Sequence, residues 1–112
     1  MSISLNEWRD AVHENAVLHG WWEGEERSFA EIVALCHSEL SEALEEARAG
    51  KQLVYFKPTP QGDKPEGIAV EMIDCIIRIL DWCGRAGVDV EKVMELKHAY
   101  NVYRPYKHGK QF

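Results

Sequence analysis

Cysteine is scarce and scattered in this chain. Only Cys36, Cys75 and Cys83 occur among 112 residues, and an odd set without close spacing gives no disulfide framework. If Cys75 and Cys83 share a helix, eight residues at ~1.5 Å each hold them about 12 Å apart, too far to bridge. Neither a CxxC nor an HxxxH spacing occurs, so the common zinc patterns are missing. The thiols are expected to be reduced and partly buried, as in a cytoplasmic protein. Long apolar runs are also absent, and no membrane span is expected. The opening residues MSISLNEWRD lack the apolar centre of a secretion signal. Positive charge is the minority: 13 Lys and Arg stand against 19 Asp and Glu, a net charge of -6. That balance argues against a nucleic-acid polymer as partner. It leaves nucleotides open, because Mg²⁺ reconciles acidic side chains with phosphates.

What is present is helical periodicity. A single domain spanning 1–112 is expected, all-α, with four main helices in an antiparallel bundle. The first helix is predicted over about 5–19, opened by a capping box of Ser4 and Glu7 and stopped by Gly20. The second is predicted from a capping box of Ser28 and Glu31 to about Ala49, with Ile32, Cys36, Leu40 and Ala43 on its apolar stripe. Residues 51–64, KQLVYFKPTPQGDK, read as a loop with a short extended piece over 53–56. The third helix is expected from Pro65 to Cys83, with Gly84 beyond its end. The fourth starts near Asp89 as N-cap and ends before Pro105. The tail, about 104–112, is basic and expected to be irregular.

The third helix carries the chemistry. With Glu71 set at 0°, Asp74 falls at about 300°, Arg78 at about 340° and Asp81 at about 280°. The charged residues of its interior turns thus share one stripe, and the rest of its circumference is apolar. A helix apolar nearly all round is a buried helix, and a buried carboxylate needs a positive partner. Asp74 and Arg78 also have the spacing of an ordinary i, i+4 ion pair. The second helix adds further negative charge: Glu39, Glu42 and Glu46 lie on the edge of its apolar stripe. If the two helices pack, the pairs Glu39/Glu42 and Glu71/Asp74 converge, and like charges oppose each other's ionisation. A divalent cation resolves the conflict, and all-oxygen ligation suits Mg²⁺ or Mn²⁺.

The spacing Glu39-Leu-Ser-Glu42, then 28 residues, then Glu71-Met-Ile-Asp74 resembles the MazG-like all-α nucleoside triphosphate pyrophosphohydrolases. Their signature is an ExxE and an ExxD pair on consecutive helices, separated by a variable spacer. The segments LCHSELSEALEEAR, KPEGIAVEMIDCIIRILDW and ELKHAYNVYRPYKHGK extend the likeness over roughly 8–110, and the Lys-x-x-x-Asn-x-x-Arg ending adds specificity. The resemblance implies Mg²⁺-dependent cleavage between the α- and β-phosphates, with Glu39, Glu42, Glu71 and Asp74 as metal ligands. The long proline-bearing spacer departs from the pattern and bears on substrate preference.

Lys97, Asn101 and Arg104 follow at i, i+4 and i+7 as one polar stripe, and Lys107, His108 and Lys110 continue its charge. With Arg78 they are the candidate phosphate-binding groups. His19, Trp21 and Trp22, between the first two helices, are the candidate base-binding residues, since a base stacks on an aromatic face. Trp8 and Trp82 read as core, and His13, His37 and His98 as surface residues or supports of the site. The attacking water would give its proton to Glu42 or Glu46, with two or more Mg²⁺ ions on the triphosphate. A di-iron bundle is disfavoured because that design needs Glu-x-x-His motifs on two helices, and only Glu95-Leu-Lys-His98 has the spacing. A non-catalytic helical interaction module with the same fold is the alternative. The third helix has more apolar surface than three companions from one chain cover, so a homodimer or homotetramer is expected to complete the bundle.

Overall fold

The computed structural model describes residues 2–24 and 26–111, the side chain of His108 excepted. Helix α1 (Leu5–Leu18) begins with the expected capping box. The Ser4 hydroxyl accepts from Glu7 N and Glu7 Oε1 accepts from Ser4 N, both at 3.1 Å. Helix α2 (Phe29–Arg48) has half of one: Ser28 Oγ accepts from Glu31 N at 3.2 Å, while the Glu31 carboxylate takes the Ser28 hydroxyl at 3.5 Å.

The segment expected to be a loop folds as a β-hairpin. Strands β1 (Tyr55–Thr59) and β2 (Gly62–Glu66) pair antiparallel, with Tyr55 opposite Glu66 and Thr59 opposite Gly62. Pro58 and Pro65 sit inside these strands. Prolines are tolerated there because both strands of a two-stranded ribbon are edges, where a missing N–H interrupts no further ladder. The fold is therefore mostly helical with a small sheet rather than all-α.

Two boundaries of the third helix also differ from expectation. Helix α3 spans Ile68–Ala86, not 65–83. Pro65 belongs to β2, and the helix starts after Gly67, whose φ of 124° suits glycine alone. A Cβ on Gly67 would lie 2.4 Å from the Leu53 carbonyl oxygen. That close approach lets the Gln52 and Leu53 carbonyls accept from Ile68 N and Ala69 N, at 3.4 and 2.9 Å, satisfying donors a helix start leaves free. Gly84 lies inside α3, where a Cβ would meet the His13 Cβ at 2.5 Å. It lets α1 approach α3, and the helix ends instead at Gly87 in the left-handed region. Helix α4 (Val90–Val102) is capped by Asp89, whose carboxylate accepts from Lys92 N at 3.1 Å. The tail carries a short 3-10 turn, Tyr106–Gly109, where an irregular end was expected.

Among the described residues α3 packs most heavily on α2 and then on α1, while α4's main contact is α1. The start of α4 is docked by polar groups: Asn6 Oδ1 accepts from Val90 N at 2.8 Å and Arg9 donates to the Val88 carbonyl at 2.7 Å. The buried apolar set is small, namely Ile32, Ala43, Cys75, Leu80 and Cys83. All three thiols are free. Met72, Ile73, Ile76, Ile77 and Ile79 on α3 are exposed, so the single chain does not bury this helix as its composition predicts. No described helix is long and apolar enough to cross a membrane.

Candidate metal centre

The packing of α2 on α3 brings the predicted carboxylates together. Glu39 is buried on α2, and Glu42 lies one turn further on the same helix. Glu71 faces them from the first turn of α3. One oxygen from each of Glu39, Glu42 and Glu71 lies within 4.8 Å of the others. Asp74, one turn along α3, stands outside this threefold group but beside it: its carboxyl is raised first by burial and next by Glu39.

Electrostatics within the group are strained. Burial pushes the Glu39 carboxyl up, but the Arg78 guanidinium, with Nε 2.8 Å from Oε1, together with the Glu42 and Glu71 carboxyls outweighs burial and holds it below the ordinary range. Among the described residues Glu71 has no such partner. Burial, then the Glu42 and Glu39 carboxylates, push its pKa to about 8. Its Oε2 is buried and lacks any hydrogen-bond partner among the described residues. A buried acceptor left unpaired costs about 1–3 kcal/mol. A divalent cation bound by carboxylate oxygens satisfies that atom and offsets the mutual repulsion, and the all-oxygen donor set fits Mg²⁺.

The cluster lies between two cavities. One, of about 490 Å³, is acidic, with Glu42, Glu46 and Glu71 on its walls. Glu46 is held there by the hairpin: the Tyr55 hydroxyl lies 3.0 and 3.2 Å from its two oxygens. The other, of about 540 Å³, is aromatic. Trp8, Trp21, Trp22 and Trp82 line it, together with Glu39, Asp74, Arg78 and Asp81. Trp8 and Trp82 are therefore cavity walls rather than core.

The remaining predicted residues divide. Trp21 and Trp22 line the aromatic cavity. His19 does not; it is exposed, with Nδ1 2.9 Å from the Asn15 carbonyl of its own helix. Arg78 lines the cavity 5.8 Å from the Trp21 ring, but its Nε belongs to Glu39. Lys97 and Arg104 lie on the face of Tyr100 on α4, at 5.2 and 5.7 Å. Within one chain α4 packs mainly on α1 rather than α2, so this stripe is not gathered with the carboxylates. Asn101 Oδ1 is buried without a partner among the described residues. Lys110 is exposed on the tail, and the His108 side chain lies outside the described residues.

Sequence reasoning places Asp81 on the charged stripe without a role, reads His13 as a surface residue or a support of the site, and gives Tyr55 no role. Asp81 accepts from Trp22 Nε1 and lies 2.8 Å from His13 Nδ1. Its position on the Glu71 stripe was the available signal. Tyr55 gave none, because its role depends on the hairpin. Comparison with models of known protein families, with curated proteins and with solved structures returns no match to this chain.

Proposed function

We propose that this chain is a Mg²⁺-dependent nucleoside triphosphate pyrophosphohydrolase, releasing nucleoside monophosphate and pyrophosphate. One observation carries the reading: an orphaned Glu71 oxygen sits in a three-carboxylate cluster between an acidic cleft and a tryptophan-lined cavity. Glu39, Glu42 and Glu71 would hold Mg²⁺, or Mn²⁺ in its place, with Asp74 beside them. Bound Mg²⁺ supplies charge neutralisation at phosphate and a lower pKa for bound water.

The chain's own residues account for the other steps. Trp21 and Trp22 give the nucleotide base its stacking surface. Glu46, fixed by Tyr55 at the cleft, accepts the proton of the attacking water, and Glu42 is the other group placed to do so. The water oxygen bonds to phosphorus in line as the α–β bridging P–O bond breaks, and pyrophosphate leaves with the electron pair. Lys97, Asn101, Arg104 and the tail cations serve the phosphates from a neighbouring subunit, since their own helix packs away from α2.

Assembly belongs to this reading and has physical support. A compact monomer of 12.9 kDa exposes about 6,300 Å², whereas this chain exposes 8792 Å². Its radius of gyration is 16.7 Å, against about 13 Å for a compact domain of this length. The excess surface matches what obligate interfaces cover, and the exposed isoleucines of α3 contribute to it. A homodimer or homotetramer in the cytoplasm is the state we assign.

The rival is a non-catalytic interaction module, favoured by those same apolar faces. Incubation with a panel of nucleoside triphosphates and Mg²⁺, read by pyrophosphate release, separates the two. Release from at least one nucleotide, abolished by chelator, is expected. No release from any nucleotide, with no thermal shift on adding Mg²⁺, would overturn the enzymatic reading.

A further inference from the structure

The aromatic cavity holds a carboxylate that the reaction itself does not use. Asp81 lies on its wall, seven residues and two helical turns beyond Asp74, about 10.5 Å along α3. That separation suits the span of a nucleoside from its 5′ oxygen to the far edge of its base. Asp81 is also held firmly. Trp22 Nε1 lies 3.0 and 3.2 Å from its two oxygens, and His13 Nδ1 lies 2.8 Å from Oδ1. His13 is seated against Gly84 and meets Trp22 edge-on, 5.8 Å between centroids, while Arg85 lies 4.9 Å from the Trp22 ring. A carboxylate offers about four acceptor sites and no donor. These partners leave acceptor capacity on Oδ2.

We propose that Asp81 reads the base and selects one bearing an exocyclic amino group, as cytosine and adenine do, over its oxo counterpart. This deepens the pyrophosphohydrolase reading and rests on it. An amino group donates to the carboxylate. A carbonyl oxygen in the same place confronts a second acceptor, and neither side is satisfied. Fixing the carboxylate beforehand, through Trp22 and His13, limits the freedom lost when the base arrives. Because the Asp81 side chain keeps 19% of its exposure, the discrimination is about tenfold to a hundredfold, below the ~10⁴-fold of a sealed polar site.

The test compares near-isosteric pairs, CTP with UTP and ATP with ITP, which differ at the exocyclic group and in the proton on the ring nitrogen beside it. The expected result is a kcat/KM ratio of at least about tenfold for the amino member of each pair. Asp81→Asn keeps the shape and adds a donor able to meet a carbonyl, so both ratios should fall toward one while hydrolysis of UTP and ITP is retained or rises. Equal ratios in the parent, or ratios unchanged by Asp81→Asn, overturn the assignment. A uniform loss on all four nucleotides in the variant also overturns it, because that marks a purely structural carboxylate. If the parent hydrolyses none of the four and no other nucleotide of the panel, and Mg²⁺ gives no thermal shift, the enzymatic reading fails. The base preference is then decided separately by tryptophan quenching with CMP and UMP, where tighter CMP binding sustains it and equal binding ends it.

Discussion

Replacing Glu71 with glutamine should make the metal-free protein more stable at alkaline pH, although it removes a residue the proposed reaction needs. The Glu71 carboxyl holds its proton up to about pH 8 in the folded chain, because burial and then Glu42 and Glu39 oppose its charge. In the unfolded chain the same group ionises near its ordinary 4.5. Between those values the folded state binds the extra proton, so stability falls as pH rises. The contribution is fully present below about pH 4.5 and lost as pH climbs through 8. At ~1.4 kcal/mol per pH unit the whole interval is worth on the order of 5 kcal/mol. Water reaching this half-buried side chain reduces it to roughly 2 kcal/mol. Glu71→Gln keeps the shape without the charge and lacks this slope.

The parent and Glu71→Gln should therefore differ little near pH 5 and by about 2 kcal/mol at pH 8.5, the variant being the more stable. For a domain of this size that is about 10 °C in Tm. Thermal melts in chelator from pH 5 to 9 read it directly. With Mg²⁺ the order should reverse at pH 8.5, since a ligand bound only by the folded parent stabilises it. Hydrolysis by the variant should fall by orders of magnitude with helix content intact. A stability difference that stays constant from pH 5 to 8.5 would refute the electrostatic account, and undiminished turnover would remove Glu71 from the site.

Three further outcomes are expected. Tyr55 remains a donor because burial, then Glu46, push its pKa to about 12; Tyr55→Phe should lower kcat about tenfold to a hundredfold, the worth of a hydrogen bond to a charged group, with KM and the Mg²⁺-induced thermal shift unchanged, and an unaltered kcat would free Glu46 from its assigned role. Gly67→Ala forces a Cβ onto the Leu53 carbonyl at an unfavourable φ, so it should cost about 1–3 kcal/mol in urea unfolding and weaken Mg²⁺ binding by moving the first turn of α3; a loss below measurement error would contradict the packing described. Lys97→Ala and Arg104→Ala should each reduce kcat/KM while leaving the Mg²⁺ thermal shift intact, and light scattering should give a mass of at least twice 12.9 kDa; parent-like kinetics in both variants, or a fully active monomer, would leave α4 outside the site.

Much of the local structure is legible in the residues because local rules govern it. Ser4 with Glu7 and Asp89 before α4 act as caps through bonds spanning only three residues. The acidic pairs on α2 and α3 follow from helical spacing, and like pairs converge once the helices pack. The hairpin escaped because Pro58 and Pro60 read as breakers and Pro65 as a helix start, and only an isolated ribbon with two free edges accommodates Pro58 and Pro65 within its strands. Gly84 read as a stop because its use is tertiary: it makes room for His13, 71 positions earlier in the chain. The destination of α4 is set by Asn6 and Arg9, polar residues of α1 that no periodicity marks.

The stripe on α3 shows where angular reasoning stops. Glu71 and Asp81 project within about 80° of one another, which suggests one shared environment. Ten residues also separate them by about 15 Å along the axis, and that rise carries the stripe past two different neighbours. At its start it faces Glu39 and Glu42 of α2, where like charges gather and an oxygen is left unpaired. Near its end it faces His13 of α1 and Trp22, which donate to Asp81 and leave it an oriented acceptor. Arg78, between the two ends, neutralises Glu39 and stands beside Trp21. One helix face is thus suited at one end to a cation and phosphates and at the other to a base. A nucleotide lying along α3 would meet both at once, and the spacing between Asp74 and Asp81 sets how long that ligand must be.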